Sequence, residues 1–191
     1  MVNTATQRLT FEEYLVYDDG VGNHYELVDG LLVLMNPPRT EHFLLAKFLE
    51  QRLDAEIQRL SLPWLTFREA GIRTGFSKSR LTDLCIVTRE QAKELLGQSA
   101  VFQTPPLLVV EVVSPDSIVR DYRYKRSEYA ALEVPEYWIV DPLEAKISLL
   151  YWEEGLYEDS VLTGNQLIQS RLLPELELTV EQILAVGTLP T

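Results

Sequence analysis

The sequence predicts an α/β domain in which helices flank a mixed central β-sheet. Amphipathic segments with helical spacing alternate along the chain with short apolar runs of strand length. One of these runs, residues 107–113, is almost continuously apolar, which is typical of a strand covered on both faces. Helices packed on both faces of a sheet would bury all of these segments, so we expect that architecture.

Length and composition are those of an ordinary globular domain. The chain has 191 residues, which fits one domain spanning 1–191. Cys85 is the only cysteine, so no internal disulfide is possible. No window approaches the ~20 apolar residues that cross a bilayer, and the N-terminus lacks the basic and apolar regions of a signal peptide. We therefore expect a cytoplasmic protein with no membrane segment.

The formal net charge of −12 limits the possible partners. It is unfavourable for a protein that binds nucleic acid without sequence preference, because such proteins normally carry a basic patch. It does not exclude a nuclease, since part of the negative charge can belong to a metal site and would be offset by the metal.

Three elements are predicted in the first third of the chain. A capping-box pattern predicts a helix over 10–17. The pair Asp29-Gly30 between two apolar runs predicts a β-hairpin over 24–35, because both residues tolerate positive φ. Apolar positions three and four residues apart predict an amphipathic helix over 41–60.

The middle of the chain is predicted to be mostly strand. Residues 64–74 have the composition of a strand, 75–80 that of a polar turn, and 81–88 that of a second strand. A short helix over 90–96 precedes the buried strand at 107–113.

The last third combines helices with antiparallel strands. Residues 117–132 are predicted to form a helix, and residues 136–140 and 146–152 two strands joined by a turn. Residues 156–162 are predicted to form an edge strand, and a capping box begins a last helix at Thr179.

Two of the apolar strands each carry one acidic residue, Glu111 and Asp83. A buried carboxylate must be paired with a cation, protonated or bound to a metal. For a lone glutamate a structural ion pair is the commoner explanation. Two such strands lying side by side would bring both carboxylates together, where a cation would relieve their repulsion. Two oxygen ligands suit Mg²⁺ or Mn²⁺.

These residues resemble a known family. The pattern Thr82-Asp83 followed by Glu111-Val112-Val113 looks like that of the PD-(D/E)XK nuclease superfamily, and the chain is similar to a large bacterial family of endonucleases. The resemblance extends over nearly the whole chain. Its matching stretches are Tyr25–Gly30, Glu111–Pro115, Asp121–Lys125 and Val134–Asp141.

The resemblance implies a restriction-endonuclease-like fold and a Mg²⁺- or Mn²⁺-dependent endonuclease that hydrolyses phosphodiester bonds of DNA. By it, Asp83, Glu111 and the carbonyl of Val112 would hold the metal, and Glu26 would complete the acidic cluster. The metal would activate a water and stabilise charge on the phosphate. The resemblance also suggests a homodimer, which would suit the cutting of both strands.

The chain departs from the superfamily pattern at the lysine. The residue two positions after Glu111 is Val113, and period two places it on the same face of the strand. Lys125, on the following helix, is the predicted catalytic substitute that would orient the nucleophile or neutralise charge. The alternative is an ordinary helical pair between Lys125 and Asp121, which lies four residues before it.

Several further residues have two interpretations. His42, at the start of the long helix, could approach the hairpin near Glu26, or it could have a surface or capping role. The helix that carries Lys125 also has basic residues that form either a phosphate-facing patch or a solvated face, namely Arg120, Arg123 and Arg126.

Two other functions stay open at this point. The missing lysine and the net charge of −12 favour a catalytically inactive interaction or regulatory protein that kept the fold. A hydrolase acting on nucleotides or other small phosphates would use the same metal chemistry.

Overall fold

A computed structural model describes residues 8–188 of the chain. Strands predominate, and helices lie between them at several points along the chain. The elements, in chain order, are α1 (Phe11–Leu15), β1 (Tyr25–Val28), β2 (Leu31–Leu34), α2 (Thr40–Arg59), β3 (Trp64–Phe67), β4 (Gly71–Gly75), β5 (Lys78–Leu81), β6 (Leu84–Thr88), α3 (Arg89–Glu94), β7 (Val101–Phe102), β8 (Leu108–Val112), a π-helix (Arg120–Lys125), α4 (Arg126–Ala131), β9 (Glu136–Asp141), β10 (Lys146–Glu153), β11 (Leu156–Thr163) and α5 (Val180–Ala185).

The strands form two mixed sheets that are flanked by helices, and this confirms the predicted α/β class. The larger sheet has the order β11-β10-β9-β8-β6-β3. In this sheet β8 and β9 are parallel neighbours, whereas the other four pairs of described strands are antiparallel. The smaller sheet has the order β2-β1-β5-β4-β7, in which β4 and β7 are the parallel pair.

Local sequence signals produce the expected local structure. The hairpin of β1 and β2 turns at Asp29 and Gly30, which have φ angles of 50° and 83°. Capping boxes are present at Thr10, before α1, and at Thr179, before α5. Each of these features depends on residues close in sequence, so tertiary packing has little influence on it.

The strand predicted over 64–74 is divided between the two sheets. Strand β3 belongs to the larger sheet and β4 to the smaller one, and the chain passes between them at 68–70. Glu69, in this passage, has a φ of 56°. A run of strand-forming residues does not reveal whether its two halves pair in the same sheet, because pairing is a tertiary property.

The predictions for residues 75–88, a polar turn followed by one strand, are also corrected by the pairing of the strands. The polar turn predicted over 75–80 is confined to Phe76 and Ser77, because Gly75 ends strand β4 and residues 78–80 belong to strand β5. The strand predicted over 81–88 is interrupted at Thr82 and Asp83, between β5 in the smaller sheet and β6 in the larger. Asp83 therefore lies in a bend where the chain changes sheets, and not inside a strand.

The larger sheet is covered on both faces, as the apolar run 107–113 predicts. Leu108, Val110 and Val112 pack into one apolar cluster together with buried residues of α2 and α5. Val109 packs into a second cluster with Tyr129 of α4. Side chains alternate along a strand, so Glu111 projects toward the same side as Val109, which α4 covers. Within residues 8–188, none of the helices has both the length and the apolar character required to span a membrane.

Candidate active site

Asp83 is held beside the end of β8 by a backbone hydrogen bond. Its Oδ2 accepts from the backbone N–H of Val112 at 2.7 Å, and Nε2 of His42 lies 2.9 Å from the same oxygen. The hydroxyl of Thr82 donates to the carbonyl of Leu84 across the bend at 2.9 Å. Burial acts to raise the pKa of Asp83, but His42 outweighs it and lowers the pKa, so the carboxylate is ionised.

Glu111 lies on β8 and its side chain is only 1% exposed. Its Oε1 accepts a hydrogen bond from the hydroxyl of Tyr129 at 2.9 Å, and its Oε2 lies 2.7 Å from Nζ of Lys125. Burial raises the pKa of Glu111 well above its ordinary range, Lys125 opposes this, and the charge of Asp83 adds to it. The carboxylates of Asp83 and Glu111 are therefore close enough to repel each other.

Lys125 is buried among oxygen atoms that come from separate elements. Its Nζ donates to the carbonyl of Leu81 at 2.7 Å and lies 3.6 Å from Oε1 of Glu26, in addition to its contact with Glu111. Burial alone would lower the pKa of Lys125. The surrounding carboxylates, Glu111 first, outweigh burial and raise it, so the ammonium is charged.

Glu26, on β1, is a buried carboxylate that is fully paired. Its Oε2 accepts from Nη1 of Arg80 at 2.8 Å, and its Oε1 accepts from the backbone N–H of Leu81 at 3.2 Å. Arg80 in turn donates through Nε and Nη2 to the carboxylate of Glu128, at 2.7 Å and 2.6 Å. Glu26 thus faces Lys125 on one side and a structural ion-pair chain on the other.

Replacing Glu128 by glutamine is expected to lower the free energy of unfolding by about 3 kcal/mol at neutral pH, because buried Arg80 loses one of its two charged partners and keeps only Glu26. Burial acts to raise the pKa of Glu128, but hydrogen bonds from Arg80 and Thr74 lower it below its ordinary value of 4.5. A lowered pKa stabilises the fold above the unfolded-state value, and this stabilisation is lost as the pH falls through the folded-state pKa.

Urea denaturation at neutral pH and in the acid range measures this effect. The difference in free energy of unfolding between the wild type and Glu128→Gln should become smaller in acid. An exposed control, Glu90→Gln, should differ little from the wild type at either pH. A difference in free energy of unfolding that does not change with pH would contradict the role assigned to the Glu128 charge.

The helix predicted over 117–132 has an unusual first part. Residues Arg120–Lys125 form a π-helix, and an α-helix follows. Asp121 and Lys125 both point inward, with side chains 2% and 3% exposed, and their charged atoms lie 3.9 Å apart. The helical pair considered as the alternative is therefore present, but it is buried and Lys125 also contacts Glu111 and Glu26. Single π-helical turns are frequent at functional sites.

Lys125 and the acidic side chains around it line one cavity with a volume of about 450 Å³. The volume lies within the ~300–1,000 Å³ range of ligand pockets. Its wall carries the buried charged groups Glu26, Glu111, Asp121 and Lys125 and the half-buried Asp83. Other parts of the wall include His24, Asn36, Arg39, His42, Arg68 and Arg120.

Only part of the basic patch predicted on the helix reaches the cavity. Arg120 and Lys125 line it. Arg126 instead bonds to Asp159 on β11 at 3.2 Å, and Arg123 is exposed outside the cavity wall. His42 does reach the site, although its contact is with Asp83 and not with Glu26.

A divalent cation suits the donor atoms of this cavity. Within residues 8–188, no group of three or more His, Cys, Asp or Glu side chains forms a ready-made metal cage. Mg²⁺, however, is usually bound through one or two carboxylates and keeps several waters. Asp83, Glu111 and the carbonyl of Val112 are hard oxygen donors of this kind. Oδ1 of Asp121 is a further buried oxygen, and it has no hydrogen-bond partner.

Two partners of the site, Tyr129 and Arg80, are not among the residues predicted from the sequence. Tyr129 lies four residues beyond Lys125, and this helical spacing is a signal that both side chains reach the same side. For Arg80, which binds Glu26, the sequence contains no such spacing signal. Its segment has the composition of a polar turn, and Glu26 is 54 residues away.

The fold is that of the restriction-endonuclease-like class. The chain belongs to the Uma2 family, whose model carries the description "Putative restriction endonuclease" and matches residues 11–181. None of the curated proteins matches the chain in sequence.

Solved structures that are similar to the chain include the following two. One is the crystal structure of a "putative nuclease belonging to DUF820" from Anabaena variabilis ATCC 29413. It has a TM-score of 0.78 and 15% identity, and the match covers 94% of this chain and 99% of that one, which confirms the fold. The other is the type IIG restriction endonuclease BpuSI, with a TM-score of 0.41, 14% identity and coverage of 81% of this chain and 17% of that one.

Proposed function

We propose that the protein is a divalent-metal-dependent endonuclease that hydrolyses phosphodiester bonds of DNA. The Uma2 family and its description support the nuclease class. The observation that carries the proposal is the position of Lys125. Its ammonium lies 2.7 Å from Oε2 of Glu111, although the usual lysine position, two residues after Glu111, is occupied by Val113. A helix thus supplies the cation that the strand lacks.

In this proposal Asp83, Glu111 and the carbonyl of Val112 hold Mg²⁺ or Mn²⁺. The bound ion would supply Lewis-acid activation of a water and stabilisation of charge on the phosphate. The chain itself orients these ligands. The backbone N–H of Val112 and the ring of His42 fix the Asp83 carboxylate, and the hydroxyl of Tyr129 fixes that of Glu111.

Lys125 and Glu26 provide the remaining roles. The Lys125 ammonium is a fixed positive charge that would neutralise charge on the phosphate or orient the nucleophile, and burial strengthens such an interaction. Glu26 positions Lys125, because its own carboxylate is anchored by Arg80 and by the backbone of Leu81. A homodimer is part of the proposal, since two such sites would cut both strands of a duplex.

Cleavage of supercoiled plasmid and of single-stranded DNA tests this function. We expect purified protein to convert plasmid to nicked and then linear forms in Mg²⁺ or Mn²⁺ and to be inactive in excess EDTA. Nucleotides and p-nitrophenyl phosphate should remain intact under the same conditions. Hydrolysis of those small phosphates without DNA cleavage would replace the proposal with a small-molecule phosphohydrolase, and no hydrolysis of any substrate would favour an inactive interaction protein.

A further inference from the structure

Arg120 is a cation on the cavity wall to which the proposed mechanism gives no role. It lies at the start of the π-helix, and its side chain is 32% exposed. Nε of its guanidinium is buried, and within residues 8–188 this atom has no hydrogen-bond partner. A buried N–H donor without a partner is energetically costly. Arg120 therefore lacks an acceptor that the described part of the chain does not supply.

The carboxylate of Asp121 is close to Arg120 but does not act as this acceptor. Its Oδ1 lies 3.8 Å from Nε of Arg120, which exceeds the roughly 2.7–3.2 Å of an N–H···O hydrogen bond. Nζ of Lys125 lies 3.9 Å from the same oxygen. Asp121 thus attracts two cations by its charge, and it leaves Nε of Arg120 unoccupied.

Three other cations of the cavity wall differ from Arg120. Lys125 directs two of its three donors to acceptors at 2.7 Å. Arg68 is paired with Glu50 at 3.0 Å, and Arg39 is exposed. Arg120 instead combines partial burial with an unoccupied donor, and a low local dielectric strengthens the hydrogen bonds that such a donor forms.

The π-helix explains how Arg120 and Lys125 both reach the cavity. The two residues are five positions apart, and in an α-helix with about 3.6 residues per turn they would point about 140° away from each other. A π-helix closes its turns with i→i+5 hydrogen bonds, which brings residues five apart toward the same side. Both side chains line the cavity, whereas Arg123, which lies between them in sequence, is exposed outside its wall.

We propose that the guanidinium of Arg120 binds a non-bridging phosphate oxygen of the DNA backbone in this cavity. The inference rests on the proposed function, because it assigns a substrate contact to the same site. Guanidinium groups bind phosphate oxygens through paired N–H donors, and the phosphate supplies the acceptor that Nε lacks. Arg120 thereby holds a polyanion beside acidic groups, in a protein whose net charge of −12 otherwise repels it.

Fluorescence anisotropy of an end-labelled DNA duplex tests this contact. The titration is made in Ca²⁺, which takes oxygen ligands and offsets the acidic cluster, and a gel checks that the duplex stays intact. Arg120→Gln is expected to weaken binding by at least about 10-fold, because hydrogen bonds to charged groups are the strong ones. The slope of log affinity against log salt should become shallower by about 0.9, the contribution of one phosphate contact.

Two variants serve as controls for this titration. Arg123→Gln removes the same charge from an exposed position on the same helix. We expect it to change the affinity by no more than about 2-fold, because exposed charges are screened. Arg120→Lys keeps the charge without the paired donors, so it should restore the salt slope but recover the affinity only in part.

The outcomes separate this inference from the proposed function. DNA affinity and salt slope that are unchanged in Arg120→Gln overturn the role of Arg120 and leave the nuclease proposal standing. Equal weakening by Arg120→Gln and Arg123→Gln also overturns it, since the effect would then be general electrostatics. Wild-type protein that binds DNA through Arg120 but cleaves none in Mg²⁺ supports the contact and contradicts the nuclease proposal. Wild-type protein that binds no DNA overturns both.

Thermal unfolding distinguishes the phosphate contact from a structural pairing of Arg120 with Asp121. Arg120→Gln should melt close to Arg123→Gln, because Nε of Arg120 has no hydrogen bond within residues 8–188 to lose. A clearly lower melting temperature of Arg120→Gln, together with an unchanged salt slope of DNA binding, would make Arg120 a structural partner of Asp121 and contradict the proposal.

Discussion

Asp83→Asn is expected to lower Mg²⁺-dependent DNA cleavage by more than about 100-fold while the protein stays folded. Loss of a group that merely supports a metal ligand costs about 10- to 100-fold, and Asp83 is proposed as a ligand itself. The asparagine oxygen can still accept the hydrogen bond from the N–H of Val112 that holds this bend, so the local structure should persist. Initial rates of plasmid nicking, with circular dichroism as the folding check, measure both quantities.

Glu111→Gln, alone and combined with Asp83→Asn in a double variant, provides a second test of the same site. Each single substitution removes a proposed ligand, so Glu111→Gln should be about as inactive as Asp83→Asn. The double variant should be no worse than either, because groups that act as a unit have non-additive effects. Glu90→Gln, an exposed residue of α3, is the matched control and should retain full activity. Equal nicking by the wild type and Asp83→Asn would identify a contaminating nuclease and remove the support for this site.

Lys125→Met is expected to lower the free energy of unfolding by about 3–5 kcal/mol in EDTA, because it leaves buried carboxylates without their shared cation. Glu111 would be the most affected, since its Oε2 lies 2.7 Å from the Lys125 ammonium. The same variant should cleave DNA at least about 100-fold more slowly, as the loss of one preorganised electrostatic group does. Urea denaturation and the nicking assay measure the two effects.

Divalent cations should partly rescue the stability of Lys125→Met but not its activity. A bound cation reduces the repulsion among the carboxylates, and binding to the native state alone raises its stability. Lys47→Met is the control, because Lys47 is exposed on α2, and its replacement should change stability little. If Lys125→Met were as stable as the wild type in EDTA, the charge balance assigned to the cavity would be wrong.

Several parts of the fold are predictable because neighbouring residues encode them. The turn at Asp29-Gly30 requires positive φ at both positions, and these residue types tolerate it. The capping boxes at Thr10 and Thr179 depend on side chains three residues apart. The apolar composition of β8 is sufficient to predict a strand buried on both faces, and it marks Glu111 as an acid in an apolar environment.

The candidate site is predictable in its chemistry but not in its full membership. Family motifs indicate Glu26, Asp83, Glu111 and Lys125, and all of these line one cavity. The sequence shows Asp121 only as a helical neighbour of Lys125, four residues before it. That its Oδ1 is buried without a hydrogen-bond partner is visible only in the structure.

By itself, the sequence of this protein determined the α/β class, the turns and helix caps, and the acidic character of the centre. Only the tertiary structure decided that β5 and β6 belong to different sheets, with Asp83 in the bend between them. It also decided that Lys125 lies among carboxylates from other elements. The reason is physical: conformational preferences act over a few residues, whereas sheet pairing and burial of charge depend on which distant segments meet.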